Sequence, residues 1–175
     1  DDTWGYVFDF IRIINHYGMC KGDELFNFIS KACIKFTSKE NITFKELYDK
    51  TNVDLIITGT NLNKKETEYF SHKTNPNMEI RLALRISMSI PLFFKAVDWN
   101  GDVYVDGGLL NNYPIWYFDN FSNSKTIGFK LMTIDEKIEN NNIEYERTNI
   151  LNIKDYIECL VNCTTGQIEK GYIKK

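Results

Sequence analysis

Val103-Tyr104-Val105-Asp106-Gly107-Gly108-Leu109-Leu110-Asn111-Asn112-Tyr113-Pro114-Ile115 is the stretch that decides the fold of this chain. The alternation in Asp102-Val103-Tyr104-Val105 predicts a β-strand, and Asp106 follows it directly. Gly107 and Gly108 allow a sharp turn, because glycine adopts positive φ and admits neighbouring backbone where a Cβ would clash. Asp106 then either accepts a hydrogen bond from its own backbone or presents a carboxylate for chemistry. Taken alone, Asp-Gly-Gly favours the turn.

A hairpin is predicted immediately before this acid. Asn100-Gly101 is a strong two-residue turn signal between two short strands, residues 95–98 and 103–105. Asp98, Asn100 and Asp102 alternate as they do in a calcium-binding loop. However, Val103 stands where that loop needs glycine, and no matching glutamate follows. We therefore predict no metal at this position.

Apolar periodicity predicts helices and strands that alternate along the chain. The predicted helices cover residues 4–16, 23–36, 43–50, 78–86 and 152–172, with a helical turn at 115–118. The further predicted strands cover residues 54–60, 68–71 and 126–131. The first of these is a short apolar run rich in branched residues, which is typical of a parallel strand buried on both faces. The pattern predicts an α/β fold with a central parallel sheet.

Composition excludes several classes of protein. The chain has 175 residues, 43% of them hydrophobic, which is typical of a globular domain and not of a disordered one. No apolar run approaches the roughly 20 residues that span a bilayer, and the first residues do not resemble a secretory signal. A net charge of −3 argues against nucleic acid as a partner. Four cysteines without a Cys-x-x-Cys pair indicate free thiols and a reducing compartment.

Five short blocks in the first two thirds of the chain resemble, in the same order, the patatin-like phospholipase family. They are Lys21-Gly22-Asp23, Ile42-Thr43-Phe44-Lys45-Glu46-Leu47, Thr58-Gly59-Thr60-Asn61-Leu62, Arg85-Ile86-Ser87-Met88-Ser89-Ile90-Pro91 and the block from Asp106 to Ile115. The resemblance implies a three-layer α/β/α hydrolase fold without a cofactor or metal. It also implies cleavage of lipid esters by a Ser–Asp dyad, in which Asp106 is the acid and Gly107 and Gly108 support it.

One part of the family pattern is missing from these residues. The chain has no Gly-x-Ser-x-Gly elbow and no glycine-rich oxyanion loop, both of which precede Trp4 in the family's order. Ser87 and Ser89 stand at a predicted helix end before Pro91, which is not an elbow. We therefore expect a fold that is incomplete at the N-terminus and a chain that is inactive alone. Residues 1–135 are then the C-terminal portion of the catalytic domain, and residues 136–175 are a polar loop and an amphipathic helix packed on it.

A dyad without histidine needs an acid that touches the serine directly, so a rigid strand end suits Asp106. His16 and His72 are interpreted as structural or solvated. Leu92, Phe93 and Phe94 are candidates to line an acyl-chain channel, with core packing as the alternative.

Two functional hypotheses follow. The first is phospholipase A-type ester hydrolysis by the complete protein, with the serine upstream or on a second chain. The alternative is a lipid- or protein-binding module that has lost the nucleophile. The resemblance implies a phospholipid or other lipid ester as substrate and transient contact with a membrane surface. We expect a cytoplasmic or peripheral membrane location, and the sequence identifies no activator.

Overall fold

The computed structural model describes residue 13 and residues 17–118 and 125–131. Its strands are β1 (Gly18–Cys20), β2 (Ile57–Asn61), β3 (Glu66–Phe70), β4 (Leu92–Phe94), β5 (Val97–Trp99) and β6 (Asp102–Asp106). Its helices are α1 (Asp23–Thr37), α2 (Phe44–Thr51), α3 (Ile80–Ser87), α4 (Gly108–Asn111) and a 3-10 helix (Ile115–Phe118). The predicted helix over residues 152–172 lies outside the described residues, as does all but Ile13 of the one over residues 4–16. The mixed α/β class is confirmed.

The main sheet has the strand order β3-β2-β6-β5, and every pairing in it is antiparallel. The prediction of a central parallel sheet is wrong for these strands. β2 turns back into β3 over four residues and β5 into β6 over two, and connections this short join only antiparallel neighbours. The parallel pair that the structure describes is β1 with β4, outside this sheet. A three-residue strand such as Gly18–Cys20 has no period to detect, and it was not predicted.

The hairpin that leads into Asp106 is confirmed. Asn100 and Gly101 both adopt positive φ, 51° and 86°, which is the conformation of a type I′ turn. This turn sets the register in which Val97 lies opposite Tyr104 and Trp99 opposite Asp102. The strand that carries Asp106 is therefore aligned by local sequence.

α3 packs directly on the sheet. Ile80, Ala83 and Ile86 are buried on its inner face. A Cβ on Gly59 of β2 would lie 2.7 Å from the Ile86 side chain, so glycine is what allows this approach. The core beneath α3 contains Ile42, Phe44, Ile57, Phe70, Met78, Ile80, Ala83, Ile86 and Tyr104.

Two sequence predictions fail in their packing. Residues 126–131, predicted as an interior strand, form no strand, and Ile127, Phe129 and Leu131 are between 80% and 97% exposed. No backbone ladder in the described residues pairs with them, so their β-propensity has no sheet to join. The apolar spacing of Ile29, Cys33 and Phe36 predicts one buried face of α1, yet Phe36 is 80% exposed, while Ile29 and Cys33 are buried. Within the described residues, no helix is long and apolar enough to cross a membrane.

Candidate active site

Asp106 is the last residue of β6, and its main chain is held from two sides. Its N–H donates to the Ser89 carbonyl oxygen at 2.9 Å, and its own carbonyl accepts from the Thr60 hydroxyl at 2.9 Å. In the sheet it lies opposite Gly59. Because Ser89 follows α3 and Thr60 belongs to β2, a helix end and a neighbouring strand together fix the position of the acid.

The Asp106 carboxylate is partly buried, and one of its two oxygens is hydrogen-bonded. Its Oδ1 accepts a 2.7 Å hydrogen bond from the Gly108 N–H, which is the local turn considered for this residue. Among the described residues, Oδ2 accepts no hydrogen bond. Burial raises the pKa of Asp106, and the Gly108 N–H opposes that rise only in part. The turn therefore orients one oxygen and leaves the second available to accept a proton.

Gly107 is required by space and not by an unusual backbone angle, whereas a Cβ on Gly108 would meet only the ends of side chains. Gly107 has a φ of −61°, which any residue adopts. A Cβ there would lie 2.6 Å from the Thr58 carbonyl oxygen and still closer to the Thr58 Oγ1. A Cβ on Gly108 would lie 3.1 Å from the Asp106 Oδ1. Glycine after Asp106 is therefore favoured by the close approach of neighbouring atoms and not by a positive φ.

Arg85, which sequence reasoning missed, ties the segments around Asp106 together. Its guanidinium is buried and donates to the Ser89 Oγ, to the Lys21 carbonyl at 2.8 Å and to the Lys95 carbonyl at 3.2 Å. Burial lowers its pKa, with partial compensation from Asp23. Since Ser89 also accepts the Asp106 N–H, Arg85 indirectly positions the acid. Lys21 is 64 residues away, whereas Ser89 is four residues away, beyond the end of α3, so only the Arg85–Ser89 spacing could have suggested the link.

Asn111 is a second buried polar residue beside the acid turn. Its Nδ2 donates to the Tyr69 hydroxyl at 2.7 Å. Its Oδ1 is buried and has no partner within the described part of the chain. Buried amide oxygens are nearly always paired, so this atom marks a place where a further donor fits.

A cavity of about 240 Å³ adjoins this end of the sheet. It lies between β2, β3, α3 and the 3-10 helix, and it was not predicted. Its lining consists of Ile56, Ile57, Thr58, Tyr69, Leu84, Ser87, Pro114, Tyr117 and Phe118.

Comparison with known proteins agrees with this arrangement. The family model described as patatin-like phospholipase matches residues 2–119. The chain belongs to the patatin-like phospholipase family. The match contains all of β1–β6 together with Asp106 and its two glycines, so the fold described above is that of the family.

Curated relatives match over part of their own length. The chain is 32% identical over 111 residues to a probable lipid hydrolase, 463L, of Invertebrate iridescent virus 6, covering 63% of this chain and 38% of the relative. It is 35% identical over 153 residues to the uncharacterized protein R571 of Acanthamoeba polyphaga mimivirus, covering 87% of this chain and 49% of the relative. It is 28% identical over 128 residues to the uncharacterized protein YqhO of Bacillus subtilis, covering 70% and 38%. The chain thus spans less than half of each of these relatives.

The predicted channel residues lie in a different place from the cavity. Leu92, Phe93 and Phe94 form β4. This strand pairs with β1 and does not belong to the main sheet, which contains Asp106. The Arg85 guanidinium lies over the Phe94 ring, 5.4 Å from its centre. None of the three lines the 240 Å³ cavity. Their role in a channel stays a prediction.

The remaining polar candidates have structural partners. The His72 Nδ1 lies 2.8 Å from the Asp54 Oδ1, and its ring stacks on Tyr48 with 3.7 Å between centroids. Ser89 is buried, and its Oγ donates to the Arg85 carbonyl at 2.6 Å. Within the described part of the chain, no three His, Cys, Asp or Glu side chains come together as a metal site.

Proposed function

We propose that the complete protein hydrolyses lipid acyl esters in the manner of a phospholipase A, with Asp106 as the base that activates a serine. The observation that carries the proposal is the geometry of Asp106: a partly buried carboxylate at a strand end, held by two main-chain bonds, with one oxygen that accepts no hydrogen bond from the described residues. Family membership and the name of the viral relative, probable lipid hydrolase, support the same chemistry.

The reaction needs a carboxylate that accepts and returns one proton. Asp106 takes the proton from the serine hydroxyl as the oxygen attacks the ester carbonyl, and it then gives that proton to the departing alcohol. In the second half of the reaction it takes a proton from a water molecule that attacks the acyl-serine ester, and it returns that proton to the serine oxygen as the fatty acid leaves. A raised pKa makes the carboxylate a better base for these steps than an exposed aspartate.

Substitution of Asp106 by Asn in the complete protein tests the role of the base. Asn keeps the shape and an oxygen for the Gly108 N–H but does not accept the proton. We expect kcat for a p-nitrophenyl ester to fall by about 10²–10⁴-fold. Asp98→Asn is the matched control, because Asp98 is exposed on the neighbouring strand. Activity retained by a folded Asp106→Asn protein would contradict the proposal.

The second candidate function is a non-catalytic lipid-binding module. These 175 residues contain no Gly-x-Ser-x-Gly elbow, so the hydrolase requires a serine elsewhere in the complete protein and the binding module does not. A fluorophosphonate probe separates the two candidates, because it labels only an activated serine. Labelling of the complete protein that requires Asp106 supports the hydrolase, and lipid binding without any labelling supports the module.

A further inference from the structure

We infer that the outer face of α1 binds an anionic phospholipid surface. This outer face is defined by four exposed residues, Phe28, Lys31, Lys35 and Phe36. The inference goes beyond the proposed function, because it concerns the surface to which the protein binds and not the bond that it cleaves. Three observations carry it: exposed aromatic rings, a local excess of positive charge, and a helix that is fixed from its buried side.

Two phenylalanine rings on α1 face the solvent. Phe28 is 68% exposed and Phe36 is 80% exposed, and Ile34 on the same helix is 48% exposed. Single apolar side chains at a surface are common, but several on one helix mark a surface that has a partner. The two rings are eight residues apart, which is about 12 Å along the helix axis. They therefore present apolar area over two turns of α1.

Positive charge is concentrated on the same part of the helix. Residues 27–39 contain three lysines, spaced four positions apart, and no acid, although the whole chain has a net charge of −3. Side chains four positions apart lie on one side of a helix. The acids of α1, Asp23 and Glu24, are both in its first turn. The rest of the outer face is therefore basic and apolar, as in helices that lie on membrane surfaces.

Two of these lysines are available to an external anion. Among the described residues, neither Lys31 nor Lys35 forms an ion pair with an acid, whereas Lys39 pairs with Glu46 at 2.5 Å. The Lys35 Nζ lies over the Phe36 ring, 5.7 Å from its centre. An ammonium group and an aromatic ring are thus next to each other, one suited to a lipid phosphate and the other to the acyl region beneath it.

The buried side of α1 fixes the orientation of its outer face. The Arg81 guanidinium lies over the Phe26 ring, 5.1 Å from its centre, and donates to the Ser30 Oγ at 3.4 Å. At the other end of the helix, the Lys50 Nζ donates to the Thr37 carbonyl at 3.0 Å. The helix is already formed and anchored, so binding at its outer face requires no further folding.

The shape of the face favours a lipid surface over a protein partner. The outer side of a single helix is convex, and two rings about 12 Å apart need two separate pockets on a rigid partner. A lipid interface is fluid and admits both rings at any spacing, while its anionic headgroups attract the lysines. Exposed rings beside unpaired lysines therefore match an anionic bilayer without further requirements.

Sedimentation of the complete protein with sucrose-loaded vesicles tests the inference. The assay uses the Asp106→Asn protein as parent, so that the lipids stay intact. This parent should bind vesicles of equal parts phosphatidylcholine and phosphatidylserine, and bind pure phosphatidylcholine more weakly. Phe28→Ala and Phe36→Ala should each lower the partition coefficient by about tenfold, because one ring no longer leaves water. Lys31→Gln and Lys35→Gln should each lower it by about fivefold, and only where phosphatidylserine is present.

Matched controls come from exposed residues on other elements. Leu62→Ala removes an exposed apolar side chain after β2, and Lys45→Gln removes an exposed lysine of α2. Both variants should bind as the parent does. Raising the salt from about 0.1 M to 1 M shortens the screening length from about 10 Å to 3 Å, so it should weaken binding by the parent. The Lys31→Gln/Lys35→Gln double variant should respond much less to salt.

Three results would overturn the inference. The first is equal vesicle binding by the parent and by a variant that combines all four substitutions. The second is binding that depends on neither phosphatidylserine nor salt, or no vesicle binding at all, which would leave a protein as the occupant of this face. The third is a lower free energy of unfolding for Phe28→Ala or Phe36→Ala, because a ring that stabilises the complete protein is packed inside it and not available to lipid.

Activity measurements keep this inference separate from the proposed function. If the complete protein with Asp106 intact is a hydrolase, the Phe28→Ala/Phe36→Ala double variant should cleave phosphatidylserine-containing vesicles about 10²-fold more slowly at low lipid concentration. The same variant should cleave soluble p-nitrophenyl acetate at the parent rate. Vesicle binding through α1 by a protein that cleaves no ester supports the docking face and removes the hydrolase. Ester cleavage without vesicle binding does the reverse.

Discussion

Burial disfavours the charged form of the Asp106 carboxylate, so its pKa in the folded protein lies above that in the unfolded chain. The folded state therefore holds the proton more tightly. Below the unfolded pKa the carboxyl is neutral in both states, and no destabilisation arises. As the pH rises through the folded pKa, the buried charge destabilises the native state.

The raised pKa of Asp106 leads to a prediction about stability that can be measured without an activity assay. Asp106→Asn removes the buried charge and keeps an oxygen for Gly108, so the free energy of unfolding should rise near neutral pH. At about pH 3, where an ordinary aspartate is mostly neutral, the variant and the parent should be nearly equal. Urea unfolding at the two pH values measures the difference. A variant that is less stable than the parent at neutral pH would contradict the burial effect.

Gly107 and Gly101 separate two reasons for needing glycine. Gly107→Ala pushes a methyl group against the Thr58 main chain and should cost about 1–3 kcal/mol, with loss of activity because the acid turn shifts. Gly101 has a φ of +86° but open space around it, so Gly101→Ala should cost about 1 kcal/mol of backbone strain and leave kcat unchanged. Denaturant titration and initial rates on both variants give the comparison. Equal loss of activity in Gly107→Ala and Gly101→Ala would contradict the idea that the space around Gly107 controls the turn that holds Asp106.

The local part of the acid site follows from sequence, and the part that depends on distant contacts does not. Asp106 and its glycines lie within three residues of one another, and a motif contains them. Arg85 reaches a carbonyl 64 residues away, and Asn111 pairs with a tyrosine 42 residues away. No spacing rule connects groups so distant, which explains why the role of Arg85 emerged only from the structure.

Among the elements, α2 shows how a short helix is stabilised at its start. The Thr43 Oγ1 accepts from the Glu46 N–H at 3.2 Å, and the Glu46 carboxylate accepts from the Thr43 N–H at 3.0 Å. The Thr-x-x-Glu spacing of Thr43 and Glu46 predicts a capping box, and this reciprocal pair confirms it. Because α2 supplies Phe44 to the core, the cap also supports tertiary packing.

Removing the cap should weaken the domain by a measurable amount. Thr43→Ala leaves the Glu46 N–H without its acceptor and should lower the free energy of unfolding by about 1 kcal/mol. Lys45→Ala on the same helix is the control, because its ion pair with Asp49 is fully exposed and should contribute little. Urea unfolding measures both. A larger effect from Lys45→Ala would mean that surface charge, and not the cap, holds α2 in place.

Elements with short-range signals were predicted well. The Asn100-Gly101 hairpin and the Thr43 cap are encoded in neighbouring residues, and both are confirmed. The direction of strand pairing was wrong, because an apolar strand is consistent with burial in either kind of sheet. The strand predicted over residues 126–131 was wrong, because a strand needs a neighbouring strand to pair with and its own sequence does not specify one.

Over the whole described molecule, the two ends of the main sheet differ in character. Asp106 and the cavity lie at one end. At the other, the fully buried Asn61 amide donates to Glu68 and Asp102, both at 2.8 Å, and its Oδ1 accepts the N–H groups of Asn63 and Lys64. The Tyr104 hydroxyl also donates to Glu68, and burial raises the pKa of Tyr104 to about 12. The polar groups at this end are therefore paired with one another, and we expect them to contribute to stability.

This division predicts that stability and chemistry respond to different substitutions. Asn61→Ala should lower the free energy of unfolding by about 2–3 kcal/mol, because several buried groups lose their partner. The pH dependence of kcat/KM should stay the same for the folded variant, since Asp106 keeps its surroundings. Urea unfolding and a pH series of initial rates provide the two measurements. A shifted acidic limb would mean that the two ends are coupled.

The antiparallel sheet also has a consequence for how the protein folds as it is synthesised. Its two hairpins are closed by turns of four and two residues, and such hairpins form within microseconds. They meet along one seam, where Thr60 and Asp106 are 46 positions apart. Closing that seam brings together residues that are distant along the chain, and the loop-closure entropy makes it the slower event. β6 leaves the ribosome after the strand that receives it, so we expect the acid to reach its position only when the rest of the sheet is already formed.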